Sequence, residues 1–490
     1  MLASYLKSYM IGRDRASDAT GATDPHPPAE ASRYDSDVEC DTGVKGIMST
    51  EQTSPQGAGF TPTGTIASAT DRRRVVFATV VGTTVEWYDF FIYASAAGLV
   101  FGQLFFAPAG EGFAQILSFI TVGISFLFRP LGAFLAGHLG DKYGRRLVLM
   151  LTLILMGVAT TLVGLLPTYA AIGIAAPILL ILLRILQGFS AGGEWGGAAL
   201  MAVEHAPDKR RGFFGAFPQI GVPVGMILAT ATLFILTSSM SPEAFLEWGW
   251  RIPFLLSIVL IIVGYVIRRA VEESPVFEDL LRRRQESSAP LGQLFRHNSK
   301  NVILTAIIFI GNNAAGYLLI AFFATYAVTA LGMDRPTVLL ATTLASFGWL
   351  VFTLWGGAIS DRLGRVRTFQ IGYAFLALWA VPMWFLIDTG DIVWYFVALF
   401  VMTFGLGLSY GPQASLYAEM FPANVRYSGV SIGYALGAIL GGAFAPMIAE
   451  ALMGATGQSW TIGVYIAIAA IVSLIGVSVV KETKGTDLHV

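Results

Sequence analysis

The sequence predicts an all-α membrane protein of twelve transmembrane helices, arranged as two pseudo-symmetric six-helix bundles. Three observations carry that prediction. The 490 residues are 55% hydrophobic and only 13% charged, with a mean hydropathy of +0.65, whereas soluble domains carry about 25% charged residues. Twelve apolar runs follow the polar start, each near the ~20 residues that a bilayer core demands. Finally, the short basic loop Gly137-His-Leu-Gly-Asp141-Lys-Tyr-Gly144-Arg145-Arg146 sits between the second and third runs. It returns between the eighth and ninth as Gly357-Ala-Ile-Ser-Asp361-Arg362-Leu-Gly364-Arg365-Val-Arg367. Such a repeat points to a chain built by duplication.

In chain order, residues 1–70 are rich in Ser, Thr, Gly, Asp and Pro without apolar period, and read as a disordered cytoplasmic tail. No basic start with an apolar core marks a signal peptide. Met48 reads as an alternative start, which would make residues 1–47 dispensable. Residues 71–270 hold the first six spans and 301–482 the second six. Between them, 271–300 is a polar cytoplasmic loop containing Arg282-Arg283-Arg284, and 483–490 forms a short cytoplasmic C-terminal tail. Most Lys and Arg outside the spans fall on the side that holds both termini. The opposite side carries only Arg251 and Arg335. That asymmetry predicts a multi-pass plasma-membrane protein with both termini cytoplasmic.

Composition also excludes classes. A net charge of −1 argues against a nucleic-acid partner. The single cysteine, Cys40, rules out a disulfide framework or a Cys-based metal site. No metal spacing and no phosphate-binding loop are present, and the intramembrane polar groups do not resemble a nucleophile–base pair. Neither an enzyme nor a cofactor is expected; the partners are the bilayer, a small solute and a proton, and the chain is read as monomeric.

The polar residues inside apolar runs are the candidate site. In the first span Glu86, Asp89 and Tyr93 share one helix face. Either acid is a candidate proton site, the alternative being a static ion pair with Arg129 or Arg184. The fourth span carries Arg184, Gln187 and Glu194 on one stripe, with Glu194 counted among the gating residues, beside a stripe of Gly188, Gly192 and Gly196. Arg184, near mid-span, has the planar fork that clamps a carboxylate, or it pairs with Glu194 or a first-span acid. Arg129, nearer the cytoplasmic end of the second span, reads as a structural or gating pair. Asn312, Asn313 and Tyr317 in the seventh span, with Tyr410 and Gln413 in the tenth, could orient a polar solute or simply bond between helices. Gly433, Gly437 and Gly441 read as packing.

The repeated loop resembles the signature of the major facilitator superfamily. Gly82-Thr-Thr-Val-Glu86-Trp87-Tyr88-Asp89-Phe90-Phe91-Ile92-Tyr93 resembles that superfamily's metabolite:proton symporter branch. So do Arg129-Pro130-Leu131-Gly132, the segment Arg184 to Gly197, and Tyr410-Gly-Pro412-Gln413. The resemblance covers about residues 70–482. It implies two bundles rocking around a central site lined by spans one, four, seven and ten. It also implies a cytoplasmic latch in which Asp141 and Arg145 meet the start of span eleven, with Arg426 as partner. Gly137, Gly144 and Arg146 shape that loop, and Asp361, Arg362, Gly364 and Arg365 its second copy, where Val366 replaces a usual basic residue. The function so implied is proton-coupled symport of a small metabolite, an organic acid because of Arg184. The alternatives are a carrier of a zwitterionic osmolyte or amino acid, a proton/drug antiporter, and a membrane sensor that does not transport.

Overall fold

Apolar runs cannot leave backbone polar groups unpaired in hydrocarbon, so each forms a helix. The computed structural model describes residues 69–269 and 290–488. The expected disordered tail and most of the central loop lie outside these residues. In the first half the long helices are α1 (Ala69–Ala96), α2 (Glu111–Tyr143), α3 (Arg145–Leu165), α4 (Ala175–Glu204), α5 (Gly221–Ser239) and α6 (Arg251–Arg269). In the second they are α7 (Ser299–Ala321), α8 (Arg335–Leu363), α9 (Arg365–Trp379), α10 (Ile392–Tyr410), α11 (Arg426–Ala438) and α12 (Trp460–Ser478).

Several spans run on through a second helical piece. The ninth resumes at Pro382–Ile387, the tenth at Gln413–Met420 and the eleventh at Ala445–Thr456. Eleven helices among the described residues are long and apolar enough to cross a membrane. The ninth span falls short because Pro382 divides it: proline removes a backbone donor and interrupts the ladder.

Packing follows the duplication. Within the first half α2 packs on α4, α1 on α5, and α3 on both α4 and α6; within the second, α8 packs on α10, α7 on α11, and α9 on both α10 and α12. Each contact thus repeats six helices later. The halves meet through α2 against α11, and through α8 against Arg211–Gly215, the short helix leading into α5.

Close approach is built from small residues. A Cβ on Gly188 would lie 2.2 Å from the Ser125 carbonyl oxygen, and one on Gly192 2.1 Å from that of Arg129. The stripe in α4 therefore lets α2 lie directly on it. Outward faces are apolar at helical spacing, as at Leu127, Leu131 and Leu135 of α2 or Ile178, Leu182 and Leu186 of α4, all exposed. Inward faces bury Glu86, Asp89, Arg129, Arg184 and Gln187. Lipid outside and polar groups inside is the pattern of an integral, multi-pass membrane protein.

Candidate functional site

The polar interior divides into three places. The first lies wholly within the first bundle. Asp89 is 1% exposed and accepts hydrogen bonds from the hydroxyls of Thr160 on α3 and Ser257 on α6, both at 2.7 Å. Thr160 in turn accepts from Gln187 Nε2 at 2.7 Å, and Gln187 Oε1 accepts from Arg184 Nη1 at 2.7 Å. One chain of hydrogen bonds thus runs from α6 through α1 and α3 to α4. Asp89 and Arg184 in this chain carry opposite charge, and the neutral Thr160 and Gln187 separate them.

All three nitrogens of Arg184 are engaged inside this bundle. Nε donates to the Thr121 carbonyl at 3.2 Å, and Nη2 to Ser125 Oγ at 2.8 Å. The guanidinium lies 3.7 Å from the centre of the Tyr93 ring, whose hydroxyl bonds Thr121 at 2.7 Å. Neither first-span acid forms an ion pair with it among the described residues, and Glu194 bonds Thr152 Oγ1 at 2.9 Å. Arg184 and Tyr93 are therefore framework around Asp89 in this state, where the sequence pattern points Arg184 into a cavity.

The second place is where the bundles meet. Here Glu86 forms an ion pair with Arg129, Oε1 to Nη2 at 3.8 Å, both side chains about 5% exposed or less. Arg129 lies 4.5 Å above the Phe126 ring and 6.0 Å from that of Trp87. Tyr317 of α7 reaches across and packs on Trp87, Phe90 and Phe126, with centroids 5.4–6.2 Å apart. The sequence places Arg129 towards the basic end; α2 in fact continues to Tyr143, so Arg129 lies about 21 Å short of that end at 1.5 Å per residue.

Beside this pair is a narrow cavity with room for about one water, lined by Trp87, Val222, Asn312, Asn313, Gly316, Tyr317, Ile320, Trp349 and Tyr410. Asn312 Nδ2 is committed to the Leu406 carbonyl and Ser409 Oγ of α10. Asn313 Nδ2 and Trp349 Nε1 are buried donors without a hydrogen-bond partner among the described residues. Gln413 sits towards the basic end, its Oε1 accepting from Gln219 Nε2 at 3.3 Å. Of the second-half candidates, Asn312, Asn313, Tyr317 and Tyr410 meet at the cavity and Gln413 does not.

The third place is the basic end, where two matching latches join the halves. Asp141, 3% exposed, accepts from the backbone N–H of Tyr427 and Ser428 at 3.0 and 2.9 Å, and from Ser428 Oγ at 2.6 Å. It therefore caps the N-terminus of α11, where a helix dipole favours an anion. Arg145 lies 4.0 Å from Asp141 and 3.6 Å from Glu204, and donates to the Ala423 carbonyl at 3.3 Å. Arg426 bonds Glu204 at 3.3 Å.

The second latch repeats the first. Asp361 accepts from the N–H groups of Gly212 and Phe213 at 2.8 and 2.9 Å, capping the helix before α5. Arg365 bonds Asp361 at 2.7 Å and Glu419 at 3.2 Å. Gly144 and Gly364 take φ of 108° and 103°, the left-handed region open to glycine, and so turn each chain from one helix into the next. A Cβ on Gly137 would lie 2.6 Å from the Ser428 Cα.

Two assignments shift. The acid that α4 supplies to the latch is Glu204 rather than Glu194, and Arg426 pairs with Glu204 rather than Asp141. Arg362 is exposed and Arg146 half-buried. Sequence reasoning passed over Thr160, Ser257, Glu204 and Glu419 as site residues. The last two were visible as an echo between the halves, with Arg211 and Arg426 beside them. Thr160 and Ser257 carry no sequence signal, since single hydroxyls are ordinary inside membrane helices.

Comparison with known proteins follows from this geometry. Residues 79–439 match the family model of the Major Facilitator Superfamily. The inner membrane metabolite transport protein YhjE of Escherichia coli K12 is 37% identical over 422 residues, spanning 85% of this chain and 96% of that protein. The shikimate transporter of the same organism is 34% identical over 428 residues, spanning 84% and 95%. Among solved structures, the proton:xylose symporter XylE bound to 6-bromo-6-deoxy-D-glucose superposes with a TM-score of 0.73 at 17% identity, over 86% of this chain and 98% of that one. That likeness establishes the architecture of twelve helices in two bundles.

Proposed function

The chain belongs to the major facilitator superfamily, and on that premise we propose that it moves a small metabolite, an organic acid, together with a proton by alternating access. The membrane is the cytoplasmic membrane, and the chain works as a monomer. The basic end then faces the cytoplasm with both termini, which the concentration of Lys and Arg there supports. With both latches made, the cytoplasmic path is shut. Opening it means breaking the two aspartate caps while the cavity behind Tyr317 widens.

The observation that carries proton coupling is the setting of Asp89. A carboxylate in a membrane interior must pair, face water or take a proton. This one is held by two hydroxyls and, among the described residues, forms no ion pair with a cation. A hydroxyl both donates and accepts, so Thr160 and Ser257 can serve the ionised acid by donating and the protonated acid by accepting. Asp89 is accordingly the proton carrier, and Glu86, already paired with Arg129, is the weaker candidate.

The aromatic lining of the cavity also favours a second reading, a zwitterion whose ammonium lies against Trp87, Tyr317, Trp349 and Tyr410. One experiment separates the two. The full chain is reconstituted in liposomes holding a pH dye and given pooled small acids, then pooled zwitterions. Proton entry that depends on the acids supports the first reading, and entry that depends on the zwitterions the second. Uptake of either pool without proton movement overturns symport.

A further inference from the structure

The pair formed by Glu86 and Arg129 has the geometry of an occupied site whose occupant is supplied by the protein itself. A guanidinium meets a carboxylate best through two parallel hydrogen bonds of about 2.7–2.9 Å. Here a single Nη2 stands 3.8 Å from a single Oε1. Among the described residues Arg129 Nε is buried and makes no hydrogen bond, an expensive omission for a group 4% exposed. The cation is thus loosely held by its carboxylate, with the Tyr317 hydroxyl as a further polar neighbour, and it lies where the two halves meet, between Phe126, Trp87 and Tyr317. Trp87 and Tyr317 are also walls of the cavity, whose other walls offer the unpartnered donors Asn313 Nδ2 and Trp349 Nε1. No acidic residue lines it among the described residues. Arg184, by contrast, is engaged at all three nitrogens.

We propose that Arg129 is the anchor for the substrate's carboxylate, and that Glu86 holds its place until substrate arrives. The incoming carboxylate takes both edges of the fork and displaces Glu86. The body of the substrate then lies against Trp87, Tyr317, Trp349 and Tyr410, and its remaining oxygens accept from Asn313 and Trp349. This selects a small carboxylate with a flat or cyclic body bearing further acceptors, and it rejects solutes whose only charge is positive. Because α1 and α2 belong to one bundle and Tyr317 to the other, occupancy at Arg129 is felt across the interface. The inference deepens the symport reading and rests on it.

The test uses full-length protein in detergent, with binding read from tryptophan fluorescence, and the same protein in liposomes with the pH dye. The probes are a panel of cyclic and planar monocarboxylates that includes shikimate, each beside its primary amide, together with glycine betaine. In Arg129→Gln the acids should lose at least a hundredfold in affinity and their amides should change little. In Glu86→Gln the acids should bind several-fold more tightly, because their competitor is gone. Removing one member of a buried pair strands the other charge. If Arg129→Gln fails to fold, the neutral pair Arg129→Gln with Glu86→Gln restores the fold and still fails to bind acids.

Equal loss for acid and amide in a folded variant, or weaker binding of acids in Glu86→Gln, overturns the anchor. Transport of betaine with protons while no acid binds also overturns the anchor but leaves symport standing. Failure of every probe to carry a proton counts against both.

Discussion

At the scale of single residues the interior contains two acids, one turn apart, in unlike settings. Glu86 has a cation beside it, whereas Asp89 has two hydroxyls. A carboxylate opposite a guanidinium is favoured in its charged form, and one among neutral donors is freer to change charge as its access to water changes. Asp89→Asn should therefore abolish uphill, proton-driven uptake while sparing exchange of substrate between two sides at equal concentration; undiminished uphill uptake would clear Asp89. Thr160→Val keeps the shape but breaks the chain between Asp89 and Gln187. One lost hydrogen bond to a charged group costs about 1.5–3 kcal/mol, so the variant should be less stable and its pH–uptake profile should move. An unmoved profile would show that Thr160 only fills space. Arg184→Gln should lower thermal stability and reduce uptake of acids and zwitterions alike, as expected of a residue that braces α2 against α4. Selective loss of acids would instead return the carboxylate anchor to Arg184.

At the scale of elements, each latch is an aspartate at the end of one helix capping the start of another in the opposite half. Both bonds use backbone N–H groups and a dipole, and the first adds the Ser428 hydroxyl, so each tolerates most changes in side chains on the capped helix but not removal of the acid. A cap of this kind contributes about 0.5–2 kcal/mol, enough to alter the ratio of closed to open states several-fold. Asp141→Ala and Asp361→Ala should each shift the protein towards the state open to the cytoplasm, measured as faster labelling of a cysteine placed at the cavity wall in a background lacking Cys40. Together they should shift it more than either alone, and substrate affinity should change modestly. A large loss of affinity with unchanged labelling would contradict a latch. Gly137→Val acts from the other side: its side chain would meet the Ser428 backbone, so α2 and α11 cannot close and turnover should stop.

At the scale of the whole molecule, the segment after α12 joins the second latch. Thr483 Oγ1 bonds Glu419 at 2.7 Å, and Glu482 accepts from the Arg365 N–H at 2.8 Å. Arg211 of the first half donates to the Thr486 carbonyl at 2.5 Å, and Leu488 is 2% exposed. A few residues therefore strap the two halves together where the sequence suggests only a short tail. Truncation after Lys481 should preserve folding and substrate binding but speed opening of the basic end, by the same labelling assay. An unchanged rate would make the strap passive.

Sequence alone determined the membrane class, the twelve spans, the duplication and the two loops whose aspartates form the latches, but not the partners Glu204 and Glu419. Each of these rests on local or repeated signals: apolar run length, the bias of Lys and Arg, and loops such as Gly137–Arg146 that recur at Gly357–Arg367. Only the tertiary structure decided what each intramembrane charge faces. Glu86 and Asp89 are indistinguishable in sequence, three residues apart on one helix face. They part because that face is wide enough for one to meet Arg129 at the seam between bundles and the other to meet α3 and α6 within one bundle. For the same reason Arg184 is engaged within one bundle while Arg129 pairs with Glu86 at the seam. The depth of a residue along a helix can be read from the chain, but the direction it faces among six neighbours depends on how those helices are rotated, and that is set by packing at small residues such as Gly188 and Gly192.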